Sequence, residues 1–372
     1  MRVGLDVHVL TGPPQGTASV WRNLLPALPA ENSYVLYSFD PGATAAAFPQ
    51  AHFEHRGIPI HQPHLRILAG YAWLARRDRC DVFHTNYYAP LVGVRGRVLT
   101  IHDLVYVDFP EFSTGLRSLQ QRVLGRASAR AARGIITDSE YAQGRIAHHF
   151  DISRDRITVV YPGLSAVWQV PDEPAIAAAW ATLRARLPER YMLGVGRMDP
   201  RKGVLVAARV AHALREEDAS DGLVWVGPSD FGADAIEREL RRSGMDRAVI
   251  RVGDLSLLEL QALYRHAQLL LFPSLAEGFG YPPLEAMAMG TPAVVSNRTS
   301  IPEVCGDGGL VVDPVDVRAL TEAARSVLRT PALREALVAR GRRRVAGFTN
   351  SIMADRTVEV YRRAAPPRRV RP

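Results

Sequence analysis

Lysine is almost absent from this chain of 372 residues: of its 46 basic residues, 45 are arginine and only Lys202 is lysine. The two side chains are not interchangeable, since the lysine ammonium is a compact point charge and the arginine guanidinium is a planar fork of donors. A single lysine in a chain so rich in arginine therefore marks Lys202 as a candidate functional residue.

Cysteine and long apolar runs are also scarce. Two cysteines, Cys80 and Cys305, are too few for a disulfide framework or a structural zinc site. No apolar run reaches the roughly 18 residues that a transmembrane helix needs. The first stretch, Met1–Val7, carries Asp6 among apolar residues, which indicates a buried strand rather than a secretory signal. A cytoplasmic protein is expected.

The formal net charge of +8 is concentrated at the C-terminus. The last eleven residues carry five arginines and no acid, so that the rest of the chain has a net charge of +3. These arginines are Arg362, Arg363, Arg368, Arg369 and Arg371. Such a cationic tail is either solvated without a partner or contacts an anionic lipid or nucleic acid, and the sequence leaves these alternatives open.

Short apolar runs alternate with amphipathic stretches along the chain. In the first half the predicted strands are Arg2–Leu10, Tyr34–Phe39, Asp81–His84, Arg97–His102, Gly134–Thr137 and Ile157–Tyr161. In the second half they are Tyr191–Gly196, Leu223–Val226, Val249–Val252, Leu269–Phe272, Ala293–Ser296 and Gly309–Val312. The stretches between them have the spacing of amphipathic helices. Strands that alternate with helices predict parallel sheets covered on both faces.

The proline-rich segment Pro162–Pro174 is predicted to be an interdomain linker. The expected fold class is therefore α/β, with two Rossmann-like, doubly wound parallel-sheet domains, over 1–165 and 172–348, facing each other across a cleft. Ligands of open parallel sheets bind outside the carboxyl ends of the strands, so the active site is expected in that cleft. A last helix, Ser351–Arg363, could pack on either domain by its spacing.

The segment 273–292, PSLAEGFGYPPLEAMAMGTP, follows a predicted strand. Gly278 and Gly280 predict a turn, and Pro282–Pro283 predicts the first turn of a helix. A glycine turn that enters a helix N-terminus presents backbone N–H groups and a partial positive charge, which suits a phosphate group.

Two carboxylates, Glu277 and Glu285, flank this turn. Glu285 could accept hydrogen bonds from ribose hydroxyls, and Glu277 could accept them from a transferred sugar. The alternative is that Glu285 only complements the helix dipole, which leaves Glu277 and both glycines unexplained. The residues of this segment that are predicted to bind a nucleotide and the sugar attached to it, the donor of the transfer, are Glu277, Gly278, Phe279, Gly280 and Glu285.

The segment 194–203, GVGRMDPRKG, links another predicted strand to a helix. It is a weak dinucleotide signal, because Asp199 stands where that fingerprint has its third glycine. Arg197 at the strand end and Lys202 at the helix start can instead converge on one diphosphate, whose departing charge they would neutralise. The alternative is that both are solvated surface cations.

These motifs resemble those of glycosyltransferase family 4, the retaining enzymes of the GT-B fold, whose C-terminal domain carries Glu–seven residues–Glu and an Arg/Lys pair. The resemblance is strong over 191–314 and looser over 1–165. Segments 83–90 (FHTNYYAP) and 137–140 (TDSE) are similar to cleft-lining segments of bacterial O-antigen-type mannosyltransferases. The resemblance also implies that the last helix, over 351–365, returns to the N-terminal domain.

Residues of the first half gain roles from the same resemblance. His102 matches the family's cleft histidine, which implies a contact with the donor sugar and, with Glu277, Arg197 and Lys202, a place among the catalytic residues. The loop Gly12–Thr17 matches the family's glycine loop and gives Gly16 a donor contact, although it departs from the commoner form. The implied acceptor-binding residues are Asn86, Tyr87 and Asp103.

No D-x-D sequence occurs, so the usual acidic clamp for a divalent metal is missing and no cofactor or metal is expected. The implied enzyme is a hexosyltransferase that moves a hexose, with mannose favoured, from a nucleotide-diphosphate sugar to a glycan or lipid-linked acceptor in polysaccharide or glycolipid biosynthesis. A UDP-glucose-type transferase and a catalytically silent nucleotide-sugar-binding or scaffold protein are the alternatives. No nucleic-acid partner is expected for such an enzyme.

The predicted helix Gly115–Arg133 is basic and amphipathic. Its arginines follow one another at helical spacing, and its apolar residues, Leu116, Leu119, Val123 and Ala127, are predicted to lie on a different face. The favoured interpretation is a surface helix with its apolar side on the sheet, and the alternative is a helix that lies on an anionic membrane, at its inner face. In either case four arginines point outwards and could dock on lipid: Arg122, Arg126, Arg130 and Arg133.

Overall fold

In a computed structural model, the protein is described at residues 1–12, 16–91, 93–112, 119–253 and 255–367. The chain divides into two compact units. The first comprises Met1–Gly163 and Thr349–Pro372, and the second comprises Leu164–Phe348. Each unit is built on one parallel sheet flanked by helices.

The first unit has a seven-stranded sheet in the order β3-β2-β1-β4-β5-β6-β7. Its strands are β1 (Arg2–Asp6), β2 (Ser33–Ser38), β3 (Phe53–Gly57), β4 (Val82–Asn86), β5 (Gly96–Thr100), β6 (Gly134–Thr137) and β7 (Ile157–Val159). Its α-helices of four or more residues, before the last helix of the chain, are α1 (Gly16–Leu24), α2 (Pro41–Ala47), α3 (Tyr71–Arg77), α4 (Val105–Asp108), α5 (Arg126–Ala131) and α6 (Glu140–Phe150). A short helix, Pro63–Leu65, and a π-helical turn, Arg66–Gly70, lead into α3, and a π-helical turn, Gln121–Gly125, leads into α5. The strand order reverses between β1 and β4, which is where such sheets bind ligands.

The second unit has a six-stranded sheet in the order β10-β9-β8-β11-β12-β13. Its strands are β8 (Tyr191–Val195), β9 (Gly222–Val226), β10 (Val249–Val252), β11 (Leu269–Phe272), β12 (Ala293–Ser296) and β13 (Gly309–Val312). Its helices are α7 (Ala166–Gln169), α8 (Glu173–Leu183), α9 (Val204–Glu216), α10 (Ala233–Arg242), α11 (Leu257–His266), α12 (Tyr281–Met289), α13 (Ile301–Cys305), α14 (Val317–Arg329) and α15 (Pro331–Val345). Every residue of β11 and β12 is buried, as expected for central strands of a parallel sheet.

The last helix, α16 (Asn350–Ala364), belongs to the first unit. Thr349 caps its N-terminus by accepting a hydrogen bond from the amide of Ile352. On β4, His84 Nδ1 lies 2.7 Å from the hydroxyl of Tyr361, which is buried. A Cβ on Gly134 of β6 would lie 2.6 Å from Val360, so this glycine allows the helix to approach the sheet closely.

The structure departs from the sequence prediction at the first sheet's edge and at the linker. Strand β3 was not predicted because its sequence, FEHRG, buries only Phe53 and is otherwise polar. Strand β1 ends at Asp6 and not at the predicted Leu10, because His8–Thr11 form a 3-10 turn. The predicted linker contains α7 and the start of α8, and the chain passes from the first unit to the second between Gly163 and Leu164, near the beginning of that segment.

Candidate active site

The loop after β8 carries the lone lysine at the carboxyl edge of the second sheet. Asp199 caps a 3-10 turn, Pro200–Lys202, by accepting a hydrogen bond from the amide of Lys202. Gly203 then takes a left-handed conformation with φ 69°, and α9 begins at the next residue. A Cβ on Gly203 would lie 2.2 Å from the carbonyl oxygen of Pro273. Glycine is therefore required here by both conformation and space, and it holds this loop against the segment after β11.

Lys202 and Glu277 form a buried ion pair between these two segments. Their Nζ and Oε1 atoms are 2.5 Å apart, and the side chains are 11% and 10% exposed. Ser274 also donates a hydrogen bond to Glu277 Oε1 at 2.7 Å. Such a pair persists in a buried setting only if further hydrogen bonds satisfy it, as Ser274 does here.

Arg201 is the second cation at Glu277. Its Nη1 lies 3.5 Å from Glu277 Oε2 and donates to the carbonyl of Ala276 at 2.8 Å. Burial alone would raise the pKa of Glu277, but Lys202 and Arg201 outweigh it and lower that pKa. Glu277 is therefore an ionised acceptor. The sequence prediction did not include Arg201, although it directly precedes Lys202 in the same motif.

Arg197 lies at the same edge with a different partner. Its Nη1 pairs with Asp230 at 2.9 Å, and its side chain is 43% exposed. The predicted convergence of Arg197 and Lys202 on one diphosphate stays a prediction, because each side chain has its own carboxylate partner in this structure.

The turn before α12 is held from the side of β12. Gly280 has φ 108°, and α12 begins at Tyr281 with the proline pair in its first turn. Ser300 donates hydrogen bonds to the carbonyl oxygens of Glu277 and Phe279, at 3.1 and 2.9 Å. The amide of Glu277 donates to Thr299, whose φ of 56° is unusual for a β-branched residue. Strain of this kind is found at binding sites, where the surrounding contacts enforce it.

Glu285 lies in the first turns of α12 and is partly buried. The hydroxyl of Tyr264 donates a hydrogen bond to its Oε2 at 2.7 Å. Burial raises the pKa of Glu285 to about 7, and the bond from Tyr264 opposes this rise. Glu285 therefore changes its charge near neutral pH, which the sequence did not indicate.

In the first unit, His102 follows β5 and is buried between two polar partners. Its Nδ1 lies 2.8 Å from Asp138 Oδ2, and its Nε2 lies 3.2 Å from Asn86 Oδ1. Burial lowers the pKa of His102, but Asp138 and Asp103 outweigh burial and the net direction is upwards. With an oxygen facing each ring nitrogen, this environment favours the imidazolium form.

The predicted acceptor residues surround this histidine. Tyr87 lies edge-on to His102, with ring centroids 5.6 Å apart, and has a strained φ of 59°. Asp103 accepts a hydrogen bond from the amide of Val105 at 3.1 Å. The sequence singled out the stretch that contains Asp138 but gave that residue no role. Gly16 begins α1, while residues 13–15 of the predicted glycine loop lie outside the described residues.

The basic segment before β6 does not pack as expected. Leu119 and Val123 are 58% and 59% exposed, so the apolar side does not lie on the sheet. At about 100° per residue these two residues fall beside the arginines and not opposite them. The buried side is made of small or polar residues: Gln121, Gly125, Ser128 and Ala129.

Two of the outward arginines of this segment form ion pairs with a carboxylate. Arg126 and Arg130 both pair with Asp151, at 3.2 and 3.0 Å, and Arg122 lies 3.5 Å from the carbonyl of Val107. Residues 115–118 of the predicted helix and the arginines beyond 367 lie outside the described residues. The segment therefore exposes apolar and cationic groups side by side.

In the described ranges no group of three or more His, Cys, Asp or Glu side chains is arranged to hold a metal ion. Among the helices that the structure describes, each is too short or too polar to cross a bilayer.

The amino-acid sequence of the chain is similar to those of known glycosyltransferases. A sequence model of the family described as Glycosyltransferase Family 4 matches residues 14–166. A second family model, described as glycosyl transferases group 1, matches residues 189–330. The O-antigen chain mannosyltransferase B of Escherichia coli is 30% identical over 78% of this chain and 76% of its own. A D-inositol 3-phosphate glycosyltransferase of Kineococcus radiotolerans is 28% identical over 97% of this chain and 81% of its own.

A solved structure shows the same architecture. The Anabaena protein HepE in complex with UDP-glucose aligns with a TM-score of 0.73 at 17% identity, over 96% of this chain and 98% of that one. The expected GT-B fold and the expected family are thereby confirmed. The two parallel-sheet units, the matching family models and the identity with a curated relative lead to one conclusion: the chain is a transferase that belongs to glycosyltransferase family 4.

Proposed function

We propose that this protein is a retaining, metal-independent hexosyltransferase that moves mannose from a nucleotide-diphosphate sugar to a glycan or lipid-linked acceptor in polysaccharide or glycolipid biosynthesis. The observation that carries this proposal is the buried Lys202–Glu277 pair beside the turn into α12. It places an ammonium and an ionised carboxylate next to a helix N-terminus, a combination that suits a diphosphate joined to a sugar. Mannose is favoured because relatives named as mannosyltransferases match over most of the chain.

In the proposed reaction, the bond between the anomeric carbon and the donor's β-phosphate oxygen breaks. The acceptor hydroxyl attacks the same face of the sugar, and its proton passes to the departing phosphate. Lys202 and Arg197 stabilise the charge that develops on the leaving diphosphate. Glu277 is a poor nucleophile, because two cations and Ser274 engage it, so its proposed task is to bind the sugar. A product with inverted anomeric configuration would contradict this front-face path.

Binding and turnover of defined donors test the function. The donor we favour is GDP-mannose, on the resemblance of segments 83–90 and 137–140 to bacterial O-antigen-type mannosyltransferases. We expect GDP-mannose and GDP to raise the melting temperature of the full chain, since a ligand that binds only the folded state adds about 2.7 kcal/mol at 100 times its Kd. We expect slow donor hydrolysis without acceptor, and no effect of EDTA on either result. A response to UDP and UDP-glucose alone would support the UDP-glucose-type alternative. Binding without hydrolysis would support the silent scaffold, and loss of activity in EDTA would refute metal independence.

Nucleotide binding should depend on pH through Glu285. We propose that Glu285 accepts hydrogen bonds from the ribose as a carboxylate, so the affinity for GDP should fall as pH drops below about 7, where this group takes up a proton. Tyr264→Phe removes a hydrogen bond to the carboxylate and should move this fall to higher pH. Isothermal titrations between pH 5.5 and pH 8.5 would measure it. Glu285→Gln should bind weakly with little pH dependence in this range, and a wild-type affinity that does not change would remove the ribose role.

We also propose that the protein is cytoplasmic and docks on the inner face of the membrane through segment 119–133. Leu119 and Val123 supply exposed apolar groups, and each arginine near an anionic surface contributes about 1 kcal/mol. The full chain should co-sediment with vesicles that contain phosphatidylglycerol and stay in solution with pure phosphatidylcholine. Leu119→Ser/Val123→Ser and Arg122→Ala/Arg126→Ala should each reduce this binding. Equal binding to neutral vesicles, or full binding of both variants, would contradict the proposal.

A further inference from the structure

A second cluster of polar and aromatic side chains lies in the first unit, at the carboxyl ends of β1 and β2. It forms a closed ring of contacts among five residues: Asp6, His8, Phe39, Arg66 and Tyr71. Asp6 is the last residue of β1, and Phe39 directly follows β2. The cluster therefore lies at the edge where open parallel sheets bind their ligands. None of its residues has a role in the proposed reaction.

The inner half of the cluster is rigid and neutralised. Asp6 is buried, with Oδ1 2.7 Å from His8 Nδ1 and Oδ2 accepting a hydrogen bond from the hydroxyl of Tyr71. Arg66 is also buried, and its Nε donates to the same hydroxyl at 3.0 Å. Burial raises the pKa of Asp6, but His8, Tyr71 and Arg66 outweigh it and lower that pKa. Asp6 and Arg66 thus compensate each other, which disfavours an anion as the ligand of this cluster.

The outer half of the cluster exposes rings. Phe39 is 36% exposed, stacks on exposed His61 at a centroid distance of 4.8 Å, and meets the edge of His8 at 5.6 Å. The guanidinium of Arg66 lies 5.1 Å from the centroid of Phe39 and so fixes that ring. The flat face that remains open is the outer face of His61, which Phe39 backs, and the C–H face of a pyranose packs on aromatic surfaces of this kind.

His8 adds a polar atom beside this aromatic surface. Its side chain is 25% exposed, and Asp6 holds Nδ1, which directs Nε2 away from the buried carboxylate. Within the part of the chain that the structure describes, no hydrogen bond to Nε2 of His8 is present. A histidine whose Nδ1–H is held by a carboxylate leaves Nε2 to hydrogen-bond a hydroxyl group, which can either donate to it or accept from it.

We propose that Phe39, His61 and His8 form a subsite for a neutral pyranose ring of the glycan acceptor, with the ring stacked on His61, which Phe39 holds from behind, and a hydroxyl bound to His8 Nε2. This inference rests on the proposed function, because it supplies the acceptor side of that transfer. Asp6, Tyr71 and Arg66 are positioning residues that hold His8 and Phe39 in place.

Saturation-transfer NMR on the full chain tests the subsite without turnover. The probes are methyl α-D-mannopyranoside, methyl α-D-glucopyranoside and methyl N-acetyl-β-D-glucosaminide. At least one should receive saturation from the wild type, and Phe39→Leu, His61→Ala and His8→Ala should each weaken that binding, by about tenfold for a lost stacking or hydrogen-bonding partner. The matched control is Trp73→Leu, because Trp73 is also an exposed aromatic (51%) in contact with an arginine but lies outside the cluster.

The outcomes separate this subsite from the proposed function. Wild-type binding of none of the probes, or unchanged binding in the folded Phe39→Leu and His8→Ala variants, would overturn the subsite. Circular dichroism establishes that each variant is folded, and exposed His61 provides a variant with little risk to the fold. If the wild type binds pyranosides through these residues but hydrolyses no donor, the proposed transfer fails while the subsite stands.

Discussion

Replacing Lys202 by alanine should reduce kcat by about 10²–10³-fold, the loss seen when one preorganised donor is removed from a developing negative charge. Lys202 is the cation of the site with the least contact with solvent, since it is nine-tenths buried against Glu277 while Arg197 is exposed. A charge–charge interaction is stronger where water is excluded, so the buried ammonium should contribute more than the exposed guanidinium. Initial rates with saturating GDP-mannose measure the effect.

Lys202→Arg should recover only part of this loss. A Cβ on Gly196 would already lie 3.3 Å from Cδ and Cε of Lys202, which shows how closely the loop surrounds this side chain. A guanidinium is wider than an ammonium and directs its charge through a planar fork, so it cannot occupy the same position. Full activity in Lys202→Arg would mean that the lone lysine has no specific task.

Two controls separate catalysis from stability in the Lys202 variants. Lys202→Ala leaves Glu277 with Arg201 and Ser274, so the loss of stability should stay below the about 3–5 kcal/mol of a fully orphaned buried charge. Arg325 lies on α14 in the same unit, away from the loop that carries Lys202, and Arg325→Ala removes the cation of its ion pair with Glu217. That variant should retain wild-type kcat. A comparable fall in kcat in Arg325→Ala would show that general destabilisation explains the Lys202 result.

The elements of this fold follow from local patterns wherever a strand is buried on both faces. Strand β11 is a continuous apolar run, and the sequence predicted its bounds because burial on both sides leaves no polar positions. Strand β3 escaped prediction because an edge strand pairs on one side only and tolerates Glu54, His55 and Arg56. The identity of β3 is decided by its pairing with β2, which the local pattern does not contain, whereas the edge strands β10 and β13 keep enough apolar residues to be predicted.

The partners within the site could not be predicted from spacing. The motifs identified Lys202 and Glu277 separately, but they are 75 positions apart, and only the packing of the loop after β8 on the segment after β11 pairs them. The same packing brings Arg201 to Glu277, while Arg197 pairs with Asp230 across another turn. Sequence therefore predicted Lys202, Glu277 and Arg197 but not Arg201, and the fold determines which of these charged groups form ion pairs.

The buried side of the segment before β6 shows a further limit of local patterns. The sequence predicted that apolar residues face the sheet, yet Leu119 and Val123 point to solvent. A Cβ on Gly125 would lie 2.9 Å from the ring of Phe150, so small residues are needed where this segment meets α6. The close packing of this segment against α6, rather than the hydrophobicity of its residues, therefore determines which of its sides is buried.

Asp138→Asn should lower kcat by about 10²-fold and shift the pH profile of turnover to lower pH. Asp138 is the main group that raises the pKa of His102 against burial, and without its charge His102 would lose its proton at lower pH. We propose that the imidazolium form contacts the donor sugar, so activity should be lost on the alkaline side, and earlier in the variant than in the wild type. Rates with GDP-mannose between pH 5.5 and pH 9 measure both effects.

The stability of the first unit provides an independent readout of the same pair. A histidine whose pKa is raised on folding stabilises the protein fully below its unfolded pKa of about 6.5, and this stabilisation is lost as pH rises through the folded value. The difference in unfolding free energy between wild type and Asp138→Asn should therefore be largest near pH 6 and smaller at pH 9, by urea unfolding.

The matched control for Asp138 is Asp108→Asn. Asp108 is a buried aspartate of the same unit that also pairs with a histidine, with Oδ1 2.6 Å from His149 Nε2, and it belongs to no part of the proposed site. This variant should lose stability and keep both kcat and the pH profile of turnover. If Asp108→Asn reduces turnover as Asp138→Asn does, the effect arises from a weakened fold. If Asp138→Asn leaves the alkaline limb where it is in the wild type, His102 does not act as the imidazolium.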